Sequence, residues 1–254
     1  MARIAVFDSG LGSLSIIKPI QKKLKSEIIY FADQQNFPYG NKSQAQLSKI
    51  IQKSIKLLDT KFSPDIIVVA SNTPSLMLDI SSSRIIDVKP PLNEAIKKSK
   101  TKHVGILATK SAINSKGLTQ YIKQNNFSKN FKIFKINGSE LVELVESGKF
   151  ISNKKYCQKI IEKNLDEIVS KNNIDTVTLS STHLPFLNSL LKKQYPKISF
   201  LDPADIVAEK VFLKIKNKQC KQNSLKIFAS GNIEIFQTKL NKLKINNKVI
   251  FLSS

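Results

Sequence analysis

The chain has 254 residues, 41% hydrophobic and 24% charged, which suits one large domain or two lobes of about 100–150 residues each. No apolar run approaches the ~20 residues of a membrane helix, and the amino-terminal stretch meets Asp8 and Gly10 too early for a signal peptide, so a cytoplasmic location and no membrane partner are expected. The net charge is +22, yet the only arginines are Arg3 and Arg84; a coat of scattered lysines, without the arginine forks that read bases and phosphates, speaks against a nucleic-acid partner beyond nonspecific charge attraction at low salt.

In chain order, short β-branched runs predict strands at 3–8, 27–33, 65–71, 84–88, 103–109, 131–136, 176–181, 198–202, 225–230 and 248–252. Most are continuously apolar and do not alternate, as strands buried on both faces of a parallel sheet do. Between them lie 10–20-residue stretches with helical spacing, such as Ile50, Ile51, Ile55, Leu57 and Leu58, and later Ile160, Ile161, Leu165 and Ile168. Alternating strands and helices predict an α/β fold with right-handed crossovers. Residues 3–10 resemble 103–110, and 68–75 resemble 177–185. This echo suggests two duplicated lobes facing each other, each a mostly parallel sheet flanked by helices. The expected boundaries are 1–89 plus 203–254 for a discontinuous first lobe and 90–202 for the second.

In such sheets ligands bind beyond the carboxyl ends of the strands. The first strand delivers Asp8, Ser9, Gly10 and Gly12, and the second delivers Asp33 with Pro38, Tyr39 and Gly40 in its loop. The third delivers Ser71, Asn72 and Thr73, and a later one Ser181, Thr182 and His183. Small hydroxyl and amide groups at helix starts suit a carboxylate or phosphate, and the two glycines would let backbone approach a ligand. Each cluster alone also has an ordinary reading. Ser71 and Ser181 fit helix N-caps, Asp8 a cap, His183 a capping or core histidine, and Tyr39 loop packing. Their joint occurrence at four strand ends favours a site. Cys157 and Cys220 are isolated, and with only His103 and His183 in the chain a structural zinc site is not expected.

The motifs at 4–15, Tyr30 to Asp33 with Pro38, Tyr39 and Gly40, 70–73, 105–110 with 113–115, Leu144 to Glu146 with Gly148, and Thr182, His183 and Pro185 resemble those of glutamate racemase, in family order, from residue 4 to about residue 205. The resemblance implies two pseudo-symmetric lobes with the active site in the crevice between them, and a cofactor-independent amino-acid racemase of the aspartate/glutamate racemase superfamily, an isomerase working as a homodimer on a small acidic amino acid and supplying D-glutamate for peptidoglycan. In that family two cysteines face opposite sides of the substrate α-carbon, one removing its proton and the other returning one. The resemblance further implies that Asp8, Ser9, Pro38, Tyr39, Gly40, Asn72, Thr73 and Thr182 hold the amino acid, with Asp8 and His183 assisting proton transfer.

At both thiol positions this chain has serine, Ser71 and Ser181. Lys89 stands where the family often has an acid, and Gly138 and Ser139 where it has a Cys-Pro pair. A thiol near pKa ~8.5 can be tuned to a working thiolate, whereas an alkanol is a far weaker acid. Racemisation by the usual thiol route is therefore expected to be lost or extremely slow. Two functions follow as expectations: a racemase in which Asp8 and His183 form the acid–base pair, or a non-racemising family member that binds an acidic amino acid or small dicarboxylate. A serine hydrolase is disfavoured, because no G-x-S-x-G elbow is present.

Overall fold

The computed structural model describes residues 1–125, 128 and 130–254. The chain runs β1 (Arg3–Asp8), α1 (Leu14–Lys23), β2 (Glu27–Ala32), α2 (Gln44–Phe62), β3 (Ile66–Val69), α3 (Asn72–Met77), β4 (Ile85–Asp87) and α4 (Leu92–Lys98). It continues through β5 (His103–Ala108), α5 (Lys110–Ile113), α6 (Lys116–Gln124), β6 (Lys132–Asn137), α7 (Ser139–Glu146), α8 (Lys149–Ser152), α9 (Lys154–Lys171), β7 (Thr176–Leu179) and α10 (Asn188–Gln194). The last elements are β8 (Ser199–Leu201), α11 (Ala204–Ile215), β9 (Ser224–Ala229), α12 (Ile233–Lys242) and β10 (Val249–Phe251). No helix among the described residues is long and apolar enough to cross a membrane.

The chain divides into two compact units, Met1–Val88 with Ala204–Ser254, and Lys89–Pro203. The first is built on a six-stranded sheet of order β10-β9-β2-β1-β3-β4 and the second on a four-stranded sheet of order β6-β5-β7-β8, with every strand pair parallel. The continuous apolar runs are explained by this layout. β1 and β2, in the sheet interior, are buried almost throughout, because helices cover both faces. β6 lies at an edge and carries exposed Lys132 and Lys135, the charges that discourage further strand pairing.

Local chemistry starts the helices where the sheets need them. Ser43 and Gln46 form a reciprocal capping box at α2, and Leu47, Ile51, Ser54 and Leu58 form its buried face. In the second unit, Asp175 ties the start of β7 to the loop after α4. It accepts from Ser99 Oγ at 2.6 Å, Lys100 N at 2.7 Å and Thr101 N at 3.0 Å. Burial pushes this carboxyl up, but the bonds from Ser99, Thr101 and Lys100 outweigh it and hold it below its ordinary value. The lowered pKa means that this contribution is complete above about pH 4 and is lost as pH falls through the folded-state value. Asp175→Asn should cost about 2 kcal/mol at pH 7. Thermal melts should show the variant losing less stability than the parent between pH 5 and 2. Equal losses in the two proteins would contradict this account.

Candidate active site

In the first unit the carboxyl ends of β1, β2 and β3 are tied side by side. Asp33 N donates to Asp8 O at 2.7 Å, and Ala70 N donates to Phe7 O at 2.8 Å. Asp8 is 1% exposed, and its Oδ1 accepts from Ser9 N at 2.6 Å and Ser9 Oγ at 3.4 Å. The loop beyond is anchored by the buried Tyr30, whose hydroxyl donates to Gly10 O at 2.6 Å. Gly10 and Gly12 do not take a left-handed conformation; among the described glycines only Gly148 does. Whatever these two glycines contribute is therefore small size, not an unusual backbone.

At the end of β3, Ser71 takes the N-cap place of α3, but its side chain does not cap the helix. The ordinary reading of Ser71 as a capping serine does not hold. The residue is 9% exposed, and its hydroxyl makes no hydrogen bond within the described residues. Asn72 Nδ2 donates to Val88 O at 3.0 Å. Because a carbonyl only accepts, this bond fixes the amide's orientation. The other end, Asn72 Oδ1, is buried without a partner. An unsatisfied buried acceptor costs about 1–3 kcal/mol, so this oxygen is suited to a donor such as an ammonium group. Thr73 beside it is also buried.

The loop after β2 carries Pro38, preceded by a cis peptide bond, and a short 3₁₀ turn, Tyr39–Asn41. Pro38 and Gly40 are partly exposed, whereas Tyr39 is buried and its hydroxyl donates to Asp33 Oδ2 at 3.0 Å. Burial and the negative charges of Asp33 and Asp8 push the Tyr39 phenol well above its ordinary value. The phenol therefore keeps its proton and donates a hydrogen bond to Asp33.

In the second unit, Ser180 N donates to Leu107 O at 2.8 Å at the end of β7, and the chain turns through Ser181, Thr182 and His183, all buried. His183 Nε2 lies 2.7 Å from Glu146 Oε1, at the end of α7. His183 Nδ1 lies 3.5 Å from Ser181 Oγ. A carboxylate only accepts, so Nε2 carries the proton facing Glu146. In the tautomer protonated on Nε2, Nδ1 presents its lone pair to the serine hydroxyl, and the carboxylate would stabilise the ring once both nitrogens are protonated. Glu146 stands in the sequence only as part of a motif, and no local pattern shows that it meets a histidine 37 residues later.

The remaining departures lie elsewhere. Lys89 Nζ sits 5.9 Å over the Tyr121 ring, and Ser139 Oγ accepts from Lys110 N at 2.9 Å. Cys157 belongs to the core under α9, where burial pushes its thiol up. Cys220, before β9, donates to Ala2 O at 3.4 Å. Neither cysteine stands at the carboxyl end of a strand.

No family model matches the chain. It is 34% identical over 216 residues to the glutamate racemase of Chlorobaculum tepidum, spanning 82% of this chain and 77% of that protein. The chain belongs to the glutamate racemase family. Its fold agrees with that of a glutamate racemase isoform from Bacillus anthracis, with a TM-score of 0.84 at 23% identity over 99% of this chain and 97% of that one. A second similar structure is the glutamate racemase of Francisella tularensis in complex with D-glutamate, with a TM-score of 0.81, 24% identity and coverage of 99% and 97%. The two parallel α/β sheets are thus those of the glutamate racemase fold.

Proposed function

We propose that this glutamate racemase-like chain binds glutamate and interconverts its L and D forms slowly, without a cofactor and without thiols. Asp8 and His183 act as the proton-transfer groups, and Ser71 and Ser181 relay protons or hold the ligand. Ser9, Pro38, Tyr39, Gly40, Asn72, Thr73 and Thr182 bind the amino acid. The product D-glutamate would serve peptidoglycan synthesis. The observation that carries this reading is the Glu146–His183 pair, with Nδ1 3.5 Å from Ser181 Oγ, which is a base assembled without a cysteine. The unpartnered Asn72 Oδ1 supports an ammonium-bearing ligand, and the D-glutamate complex of the Francisella relative supports its identity.

Serine at both positions also supports a second reading, a binder of an acidic amino acid or small dicarboxylate that leaves the α-carbon untouched. Two measurements separate them. A ligand at 100 times its Kd stabilises by about 2.7 kcal/mol, so D-glutamate should raise Tm by roughly 5–10 °C for units of this size. In heavy water, NMR should then show slow deuterium incorporation at the α-carbon of L- and D-glutamate, abolished by Asp8→Asn. Stabilisation without incorporation establishes the second reading. Neither effect with L- or D-glutamate or L- or D-aspartate would sink both.

A further inference from the structure

Asp33 stands apart from the groups assigned above, yet it is a heavily bonded buried carboxylate of the first unit. It is 0% exposed. Its Oδ2 accepts from Tyr39 OH at 3.0 Å, Asn36 Nδ2 at 2.9 Å and Ser54 Oγ at 3.5 Å. Its Oδ1 accepts from Asn36 Nδ2 at 2.9 Å and Ser230 Oγ at 3.2 Å. Ser230 Oγ in turn accepts from Gln35 N at 3.2 Å. Every side-chain partner of Asp33 is neutral. One carboxylate therefore joins the end of β2, the loop that follows it, the buried face of α2 and the end of β9.

Only a group that accepts on both oxygens fits this place. Tyr39, Ser54 and Ser230 all point a donor at it, and an asparagine there would set its own amide protons against one of them. Burying a carboxylate among neutral partners is expensive, and such networks contribute defined geometry more than stability. What this one defines is the ring of Tyr39, and with it the backbone of Pro38, Tyr39 and Gly40. Because the phenol proton is committed to Asp33, the Tyr39 oxygen has only a lone pair left for a ligand. A ligand carboxylate must then be met by the loop's backbone, whose placement depends on Asp33.

We infer that Asp33 is a positioning residue that holds the Pro38–Gly40 loop in its ligand-binding geometry through the Tyr39 hydroxyl. The consequence for affinity rests on the glutamate-binding reading above; the consequence for the loop does not.

The test uses the full chain with Asp33→Asn, Tyr39→Phe and the double variant. Backbone hydrogen exchange of 37–41 should be at least about tenfold faster in Asp33→Asn and in Tyr39→Phe, with 4–7 and 28–31 unchanged. The Kd for D-glutamate should rise about tenfold or more in each single variant. The double variant should bind no more weakly than the weaker single one, because both changes break the same link. Unchanged exchange at 37–41 in Asp33→Asn, or affinity losses that multiply in the double variant, overturns the inference. Should Asp33→Asn not fold, exchange in Tyr39→Phe decides alone, and an unchanged loop overturns it. A parent chain that does not bind D-glutamate removes the proposed function, and loop exchange then still decides the role of Asp33.

Discussion

Replacing both Ser71 and Ser181 by cysteine should raise α-proton exchange on glutamate by on the order of 10³-fold. At pH 8 a thiol of pKa about 8.5 is roughly a quarter thiolate. A serine hydroxyl is a far weaker acid than a thiol and is ionised to a smaller extent by many orders of magnitude. Under the proposed mechanism Asp8 and His183 already supply a slow route in the parent, so the gain falls short of that ratio. The substitutions should be tolerated. Ser71 Oγ makes no hydrogen bond within the described residues, and Ser181 Oγ stands 3.5 Å from His183 Nδ1, a long contact that a thiol can also make. Each single cysteine variant should wash deuterium into one enantiomer with little inversion, since a lone strong base removes and returns the proton on one face. NMR in heavy water reads both quantities. A double variant that melts like the parent, binds glutamate and exchanges no faster would falsify the thiol-loss account.

His183→Asn should lower whatever exchange the parent shows by about 10²–10⁴-fold, the usual contribution of one general acid–base group. The loss should leave D-glutamate affinity within a few-fold, because the role assigned to His183 is proton transfer. Glu146→Gln separates holding the ring from charging it. A carboxamide oxygen still accepts from Nε2 and so keeps the tautomer, but it cannot stabilise an imidazolium as a carboxylate does. Its loss should fall between those of the parent and of His183→Asn, at about 10–100-fold. Equal, measurable exchange in all three proteins would remove His183 from the chemistry, and no exchange in any of them would leave the binding reading.

Much of the architecture was readable from the order of residues because its signals are local. Ile66 to Val69 read as a strand buried on both faces, and β3 is that strand in a parallel sheet interior. Ser43 and Gln46 sit three apart, the spacing a capping box needs, and they open α2. Asp8, Ser71 and Ser181 follow apolar runs directly, so chain connectivity alone carries them to strand ends. Sequence also decides the chemical character of two positions, hydroxyl and not thiol, which no fold can alter.

Other features depend on partners far apart in the chain. The Ser71 hydroxyl looked like a cap and is not one. Asn72 has a free oxygen because its amide is committed to Val88, 16 residues away. Glu146 finds His183 across 37 residues, and Asp33 finds Ser230 across 197. Periodicity and turn chemistry act over a few residues and determine which segments become strands and helices. Which buried acceptor meets which donor is settled only when those segments pack, because water would otherwise satisfy each group separately. The sequence by itself determined a parallel α/β fold with serines at two strand ends; tertiary packing alone decided that His183 has a carboxylate behind it and that the Tyr39 hydroxyl donates to Asp33.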